Sequence, residues 1–220
     1  MPRAKTLLSW SSGKDSAWSL HRLRADDRYE VVGLLTTINS AYDRVAMHAV
    51  RTDLLQRQAD AAGLPLLRVA IPRPCSNEEY EAAMSAVTRT AEADGIEYIA
   101  FGDLFLEDIR AYREEKLAAT KLRPLFPLWG SDTRELAKEM IDGGLRARLT
   151  CVDPRVLPRE FAGRDFDARL LDELPAHVDP CGERGEFHSF AYDGPMFSNA
   201  IPIVTGEIVE RDGFVFADLR

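Results

Sequence analysis

The chain has 220 residues, 45% of them hydrophobic and 29% charged, with a formal net charge of −8. Its length allows one large domain or a main domain with a smaller appendage, and its acidity argues against bulk nucleic-acid binding while leaving room for a local basic groove. No run approaches the roughly 20 apolar residues of a membrane span, the start MPRAKTLLSW lacks a signal peptide's apolar core, and Cys75, Cys151 and Cys181 have no CxxC spacing, so a cytoplasmic protein without zinc or disulfides is expected.

Residues 4–9, AKTLLS, read as a short buried strand and residues 31–37, VVGLLTT, as a second, with Ala17, Leu20 and Leu23 on one face of a helix between them. Leu54, Leu55, Ala59 and Ala62 mark the next helix, ahead of a third strand at 64–71. Tyr80, Ala83, Met84, Val87 and Ala91 recur at helical spacing, a fourth strand is predicted at 96–102, and another helix through 107–120. Strands alternating with helices predict a parallel sheet with helices on both faces, whose ligands lie beyond the carboxyl ends of the strands. From about Pro124 the alternation weakens. RPLFPLWG reads as a proline-punctuated connection, DTRELAKEMIDGG as a capped helix ending at Gly143–Gly144, LRARLTCVD as a strand, and GEIVERDGFVFADL as a hairpin turning at Asp212–Gly213. The expected architecture is α/β: a Rossmann-like parallel sheet over residues 1–130, then a smaller α+β C-terminal domain over 131–220.

Three segments carry chemistry. SSGKDS, residues 11–16, lies where the first strand gives way to a helix, and unpaired N–H groups at a helix N-terminus favour anions. Ser12 and Gly13 are small enough for close approach, Ser11 and Ser16 can donate, Lys14 adds a point charge, and Asp15 can cap the helix or hold magnesium on a phosphate. A ligand-free capped helix has the same composition. A Walker A loop is excluded, because Leu8 stands where its first glycine would and Asp15 follows the lysine.

FGDLFLEDIRAYREE, residues 101–115, gathers Gly102, Asp103, Glu107, Asp108, Arg110 and Arg113. It reads as a charged helix start or, through Asp103, as a nucleotide site. DPCGERGEFHSFAYDGP, residues 179–195, sets Glu183 and Glu186 around a turn, with His188 following at strand spacing on the side of Glu186. Such a set can transfer protons, bind metal or position an amine, or form a polar hairpin edge. His48 and Arg51, in RVAMHAVR, read as structural or as ligand contacts.

Ser11-Ser12-Gly13-Lys14-Asp15-Ser16 resembles the PP-loop, SGGxDS, of the ATP-pyrophosphatase superfamily, with Ser12 in place of the first glycine. With MHAVR, PLFPLWG and Gly182-Glu183-Arg184-Gly185-Glu186, the chain resembles the diphthine–ammonia ligase family over nearly its whole length. The resemblance implies a HUP-type fold and a ligase that adenylates a carboxylate, releases pyrophosphate and lets ammonia displace AMP. It further implies that ATP and Mg2+ are held by Ser11, Ser12, Gly13, Lys14, Asp15, Ser16, Thr36, Thr37, Gly102 and Asp103, with Asp15 toward the metal. The chemistry falls to Lys14, Asp15, Asp103, Glu183, Glu186 and His188, and substrate contacts to His48, Arg51, Glu107, Arg110 and Arg113. The partners implied are ATP and a carboxylate acceptor, either a modified elongation factor or a small molecule, with a homodimer allowed and no nucleic-acid or membrane partner expected. Two other readings share the loop: sulfur transfer to tRNA, which calls for paired cysteines and a basic surface, and a non-catalytic adenine-nucleotide sensor, which has no use for Glu183, Glu186 and His188.

Overall fold

The computed structural model describes residues 2–39, 44–45, 50–72 and 76–220; His48 and Cys75 lie outside them. The first half forms β1 (Ala4–Ser9), α1 (Lys14–Arg24), β2 (Tyr29–Asn39), β3 (Arg44–Val45), α2 (Thr52–Ala62), β4 (Leu66–Ile71), α3 (Asn77–Ala93), β5 (Tyr98–Ala100), α4 (Glu107–Leu117) and β6 (Arg123–Leu125). Five strands run parallel in the order β4-β2-β1-β5-β6, and β3 adds a short antiparallel pairing to the end of β2. The order reverses between β1 and β5, so the crevice for a ligand opens beyond the carboxyl ends of those two strands.

Successive side chains on a strand point to opposite faces, and the core divides accordingly. Leu8, Leu34 and Ala100 pack with Leu20 and Leu23 of α1 and Leu54 and Leu55 of α2. Leu7 and Ile99 pack on the other face with Ala91 of α3 and Leu117 of α4. Burial on both faces is why these strands read as continuous apolar runs.

The segment expected as a bare connection instead contains β6, paired with β5 through Tyr98↔Arg123 and Ala100↔Leu125. Pro124 disguises it. A proline has no N–H to donate to a ladder, and β6 is the sheet's edge, where one side of the strand needs no partner.

The second half comprises α5 (Thr133–Asp142), β7 (Arg146–Val152), α6 (Ala168–Glu173), β8 (Phe187–Asp193), β9 (Thr205–Arg211) and β10 (Phe214–Leu219). Asp132 caps α5 by accepting from the N–H groups of Arg134 and Glu135, both at 3.0 Å. The four strands form an antiparallel sheet in the order β8-β7-β10-β9. Asp212 and Gly213 turn the β9–β10 hairpin at φ 53° and 80°, the two left-handed positions of a tight hairpin turn. Leu149, Phe190 and Val215 of this sheet join the apolar cluster that holds α1 and α2, so the two sheets share a core. No helix among the described residues is long and apolar enough to cross a membrane.

Candidate active site

The loop after β1 is fixed by its backbone. Ser12 adopts φ +70°, a left-handed conformation that suits the glycine of an SGGxDS loop better than a serine. Its carbonyl accepts from the Ala191 N–H on β8 and the Gln58 side-chain amide on α2, both at 3.0 Å. Gln58 is wholly buried; its amide also donates to the Ala191 carbonyl at 2.6 Å and accepts from the Trp10 indole at 3.0 Å. A single α2 side chain thus ties Trp10, the loop and β8 together. Ser16 donates to the Gly13 carbonyl at 2.9 Å, and the Lys14 N–H donates to the Ser189 hydroxyl at 3.2 Å. Gly102 lets β5 approach closely: a Cβ there would stand 3.1 Å from the Asp15 carbonyl carbon and 3.2 Å from the Ser16 nitrogen.

Lys14 does not stand free in the crevice. Its ammonium, 2% exposed, donates to both Asp15 oxygens at 2.9 and 2.8 Å and to the Cys181 carbonyl. The Phe166 and Phe187 rings flank it, each 5.5 Å from nitrogen to centroid. Burial opposes its charge, but Asp15, together with Cys181 and Glu183, outweighs that and holds Lys14 above its ordinary value.

Two cavities meet at this loop. The smaller, about 230 Å³, is lined by Ser11, Gly13, Lys14, Asp15, Ser16, Gly102, Asp103, Arg113, Glu183 and His188, among others. The larger, about 660 Å³, takes in Thr36 and Thr37 at the end of β2 and the facing sides of α3 and α4. Ser9, Ser11, Phe101 and Arg113 line both.

Arg113 faces Asp103 at that seam, with Nε 3.6 Å from Oδ2, and each of these buried atoms lacks a hydrogen-bond partner among the described residues. The Thr36 hydroxyl in the larger cavity is buried and unpartnered as well. Burial raises the Asp103 carboxyl against the pull of Arg113. Native folds seldom leave such groups unsatisfied, and all three belong to residues on the walls of the two cavities.

Glu183 reaches across from the second half. Its Oε1 accepts from the Leu104 N–H at 2.7 Å. Burial pushes its carboxyl up to about 7, with Asp15 and Asp103 adding to the effect and the Leu104 N–H and Lys14 opposing it. The turn that presents it rests on Asp179, which accepts from the N–H groups of Cys181 (3.2 Å) and Glu183 (2.9 Å), and on Gly182 at φ +69°, where a Cβ would meet the Phe187 carbonyl at 2.9 Å. Burial, helped by the Lys14 charge, lowers His188 to about 4, so its imidazole is neutral at physiological pH.

Several residues expected at the site stand elsewhere. Glu186 precedes β8 and, instead of flanking His188, turns into its own loop to accept from the N–H groups of Asp179 (3.0 Å) and Arg184 (2.9 Å). Arg51 pairs with Asp218 at 2.8 Å, away from both cavities. Arg110 pairs with Glu114 at 2.7 Å and lies over the Phe126 and Trp129 rings. Glu107 is an exposed residue in the first turn of α4. Ser12 shapes the loop but lines neither cavity. Gln58 was missed by sequence reading, since a glutamine on an amphipathic helix looks like surface.

The family model for the diphthamide synthase N-terminal domain matches residues 4–119, and that for the diphthamide synthase C-terminal domain matches residues 132–217. The diphthine–ammonia ligase of Homo sapiens is 27% identical over 235 residues, an alignment that spans 94% of this chain and 85% of that protein. The Danio rerio diphthine–ammonia ligase is 31% identical over 193 residues, spanning 80% of this chain and 73% of its own length. The Schizosaccharomyces pombe diphthine–ammonia ligase is 26% identical over 221 residues, which is 91% of this chain but 36% of that longer protein. With both halves matched, and in the order the structure sets them, this chain belongs to the diphthamide synthase family, whose relatives named above are diphthine–ammonia ligases.

Proposed function

We propose that the chain is an ATP-dependent ligase that activates a carboxylate as its adenylate and joins it to ammonia. The observation that carries this reading is the unsatisfied Asp103–Arg113 pair at the seam of the two cavities. The larger cavity has room for the nucleoside, with Thr36 and Thr37 on its wall. The loop from Ser11 to Ser16 and the start of α1 then receive the phosphates, and Arg113, on the wall of both cavities, is the cation available to charge developing at the α-phosphate. The acceptor carboxylate attacks phosphorus, pyrophosphate departs, and the acyl adenylate is left facing Glu183 and His188.

The donor set fits a magnesium nucleotide. No three metal-ligating side chains converge among the described residues, and magnesium commonly takes one or two carboxylates plus substrate phosphates. Asp15, 27% exposed on the wall of the smaller cavity, is the carboxylate that would hold it. When bound, magnesium supplies charge neutralisation on the departing pyrophosphate.

The relatives' names make diphthine the first acceptor to try. The test is pyrophosphate release from ATP, magnesium and ammonium, with diphthine-bearing elongation factor or a panel of small carboxylic acids as acceptor. Acceptor-stimulated release, lost in Asp15→Ala, is the expected result. Tight nucleotide binding without stimulated release would replace this reading with a nucleotide sensor.

A further inference from the structure

Three carboxylates line the smaller cavity, and two of them face a cation. Asp15 is held by Lys14 at 2.8 Å, and Asp103 faces Arg113 at 3.6 Å. Glu183 forms no ion pair among the described residues, though the Lys14 charge acts on it from across the cavity: its Oε1 is held by the Leu104 N–H, and no other donor among the described residues reaches its carboxylate. Glu183 therefore arrives fixed at one oxygen, with the other left to the cavity. The remaining base there, His188, is held by burial near 4, so it is a poor proton acceptor for an amine at neutral pH. Glu186, its neighbour in sequence, has both oxygens taken by backbone N–H groups.

We propose that Glu183 is the proton acceptor for the ammonia-addition half of the reaction, an inference that rests on the ligase reading above. Ammonia adds its lone pair to the acyl carbon of the adenylate, and a nitrogen–carbon bond forms. A proton passes from that nitrogen to Glu183 Oε2, and the carbon–oxygen bond to AMP breaks with its electron pair leaving on the phosphate. The products are the amide, AMP and a protonated Glu183 that returns its proton to water. Burial already holds this carboxyl near 7, which matches a base working at neutral pH.

Formation of the adenylate does not use this proton, so the two half-reactions separate the role from any effect on folding. Acceptor-dependent exchange of labelled pyrophosphate into ATP, without ammonia, reports adenylation; amide formation with ammonium chloride reports the complete reaction. Glu183→Gln keeps an oxygen for the Leu104 N–H. Its exchange is expected to stay within about threefold of the parent while amide formation falls about 100-fold or more, the usual yield of a positioned base. Hydroxylamine, whose adduct is acidic enough to lose its proton to water, should restore hydroxamate formation in Glu183→Gln to within about tenfold of the parent. Equal losses in both half-reactions, or unchanged amide formation, would overturn the role. Absence of exchange in the parent protein with diphthine-bearing elongation factor and every acid of the panel would instead overturn the ligase reading, and this role with it.

Discussion

Lys14 is the residue on which a phosphate-loop reading and the observed geometry disagree most sharply, and Lys14→Met separates them. The ammonium is 2% exposed and its three donors are spent on two Asp15 oxygens and the Cys181 carbonyl. Methionine keeps the length of the stem and its contact with Phe166 and Phe187 but removes the charge. Breaking a buried ion pair from one side costs about 3–5 kcal/mol, because the surviving charge is left unpaired. Asp15 is 27% exposed, so water takes up part of that charge and the lower end applies, about 3 kcal/mol. For a chain of this size that corresponds to a fall in Tm of about 6–12 °C. Asp15→Asn removes the stranded charge, so the double variant should be more stable than the sum of the single losses implies, with a coupling of about 2 kcal/mol by urea denaturation. A Lys14→Met protein with unchanged Tm and urea midpoint but a tenfold or greater loss of ATP affinity would refute the reasoning, because it would make Lys14 a phosphate ligand with no bracing role.

Ser12→Gly should stabilise the protein slightly. The left-handed residue costs a serine about 1–2 kcal/mol, glycine's extra unfolded-state freedom returns about 0.5–1, and a buried hydroxyl with no partner among the described residues is removed, so differential scanning calorimetry should show a Tm rise of about 1–3 °C. A fall of more than 2 °C would show that the hydroxyl is satisfied. Gly102→Ala places a methyl about 3.1 Å from backbone atoms of Asp15 and Ser16, which must move by several tenths of an ångström; KM for ATP should rise several-fold while the Tm changes by less than about 3 °C, and an unaltered KM would separate this glycine from the phosphate loop. Glu183 is raised to about 7, so its ionised form is present above that pH and lost below it; at constant free ammonia, amide formation should climb as pH rises through about 7, and Glu183→Gln should abolish the limb. Burial sets that value first, with the Leu104 N–H, Asp15, Lys14 and Asp103 modifying it and Arg113 and His188 in the same cavity, and a limb unchanged in Glu183→Gln would assign it to another group there.

The parallel sheet was legible because its strands are buried on both faces and its helices carry apolar stripes, so Leu7–Leu8, Leu34–Leu35 and Ile99–Ala100 announce themselves as runs. β6 was not, because a three-residue edge strand containing Pro124 has neither periodicity nor length. Around the site, spacing located the segments but not the orientation of each side chain. Arg110 and Arg113 are equally basic and one turn apart on α4; one stacks on Phe126 and Trp129 and the other reaches the seam of the cavities. Glu183 and Glu186 flank the same turn, and the left-handed glycines at 182 and 185 send one carboxylate to the cavity and the other to its own backbone. Gln58 left no signal at all, since its partners Trp10, Ser12 and Ala191 are remote in sequence.

The second sheet does more than supply groups to the acceptor side. Its β8 strand bonds the loop at two backbone points, Ala191 N–H to the Ser12 carbonyl and Lys14 N–H to the Ser189 hydroxyl, while the Lys14 ammonium reaches back to the Cys181 carbonyl. A serine in a left-handed conformation is held there only because the surroundings over-determine it, and those surroundings are β8 and Gln58. The same contacts bring Glu183 against the end of β5, where it accepts from Leu104. Shaping the loop after β1 and delivering the Glu183 carboxylate to the smaller cavity are therefore one packing event. A substitution that loosened β8 from the loop would disturb nucleotide binding and ammonia addition together, whereas Glu183→Gln, which leaves the packing in place, should touch ammonia addition alone.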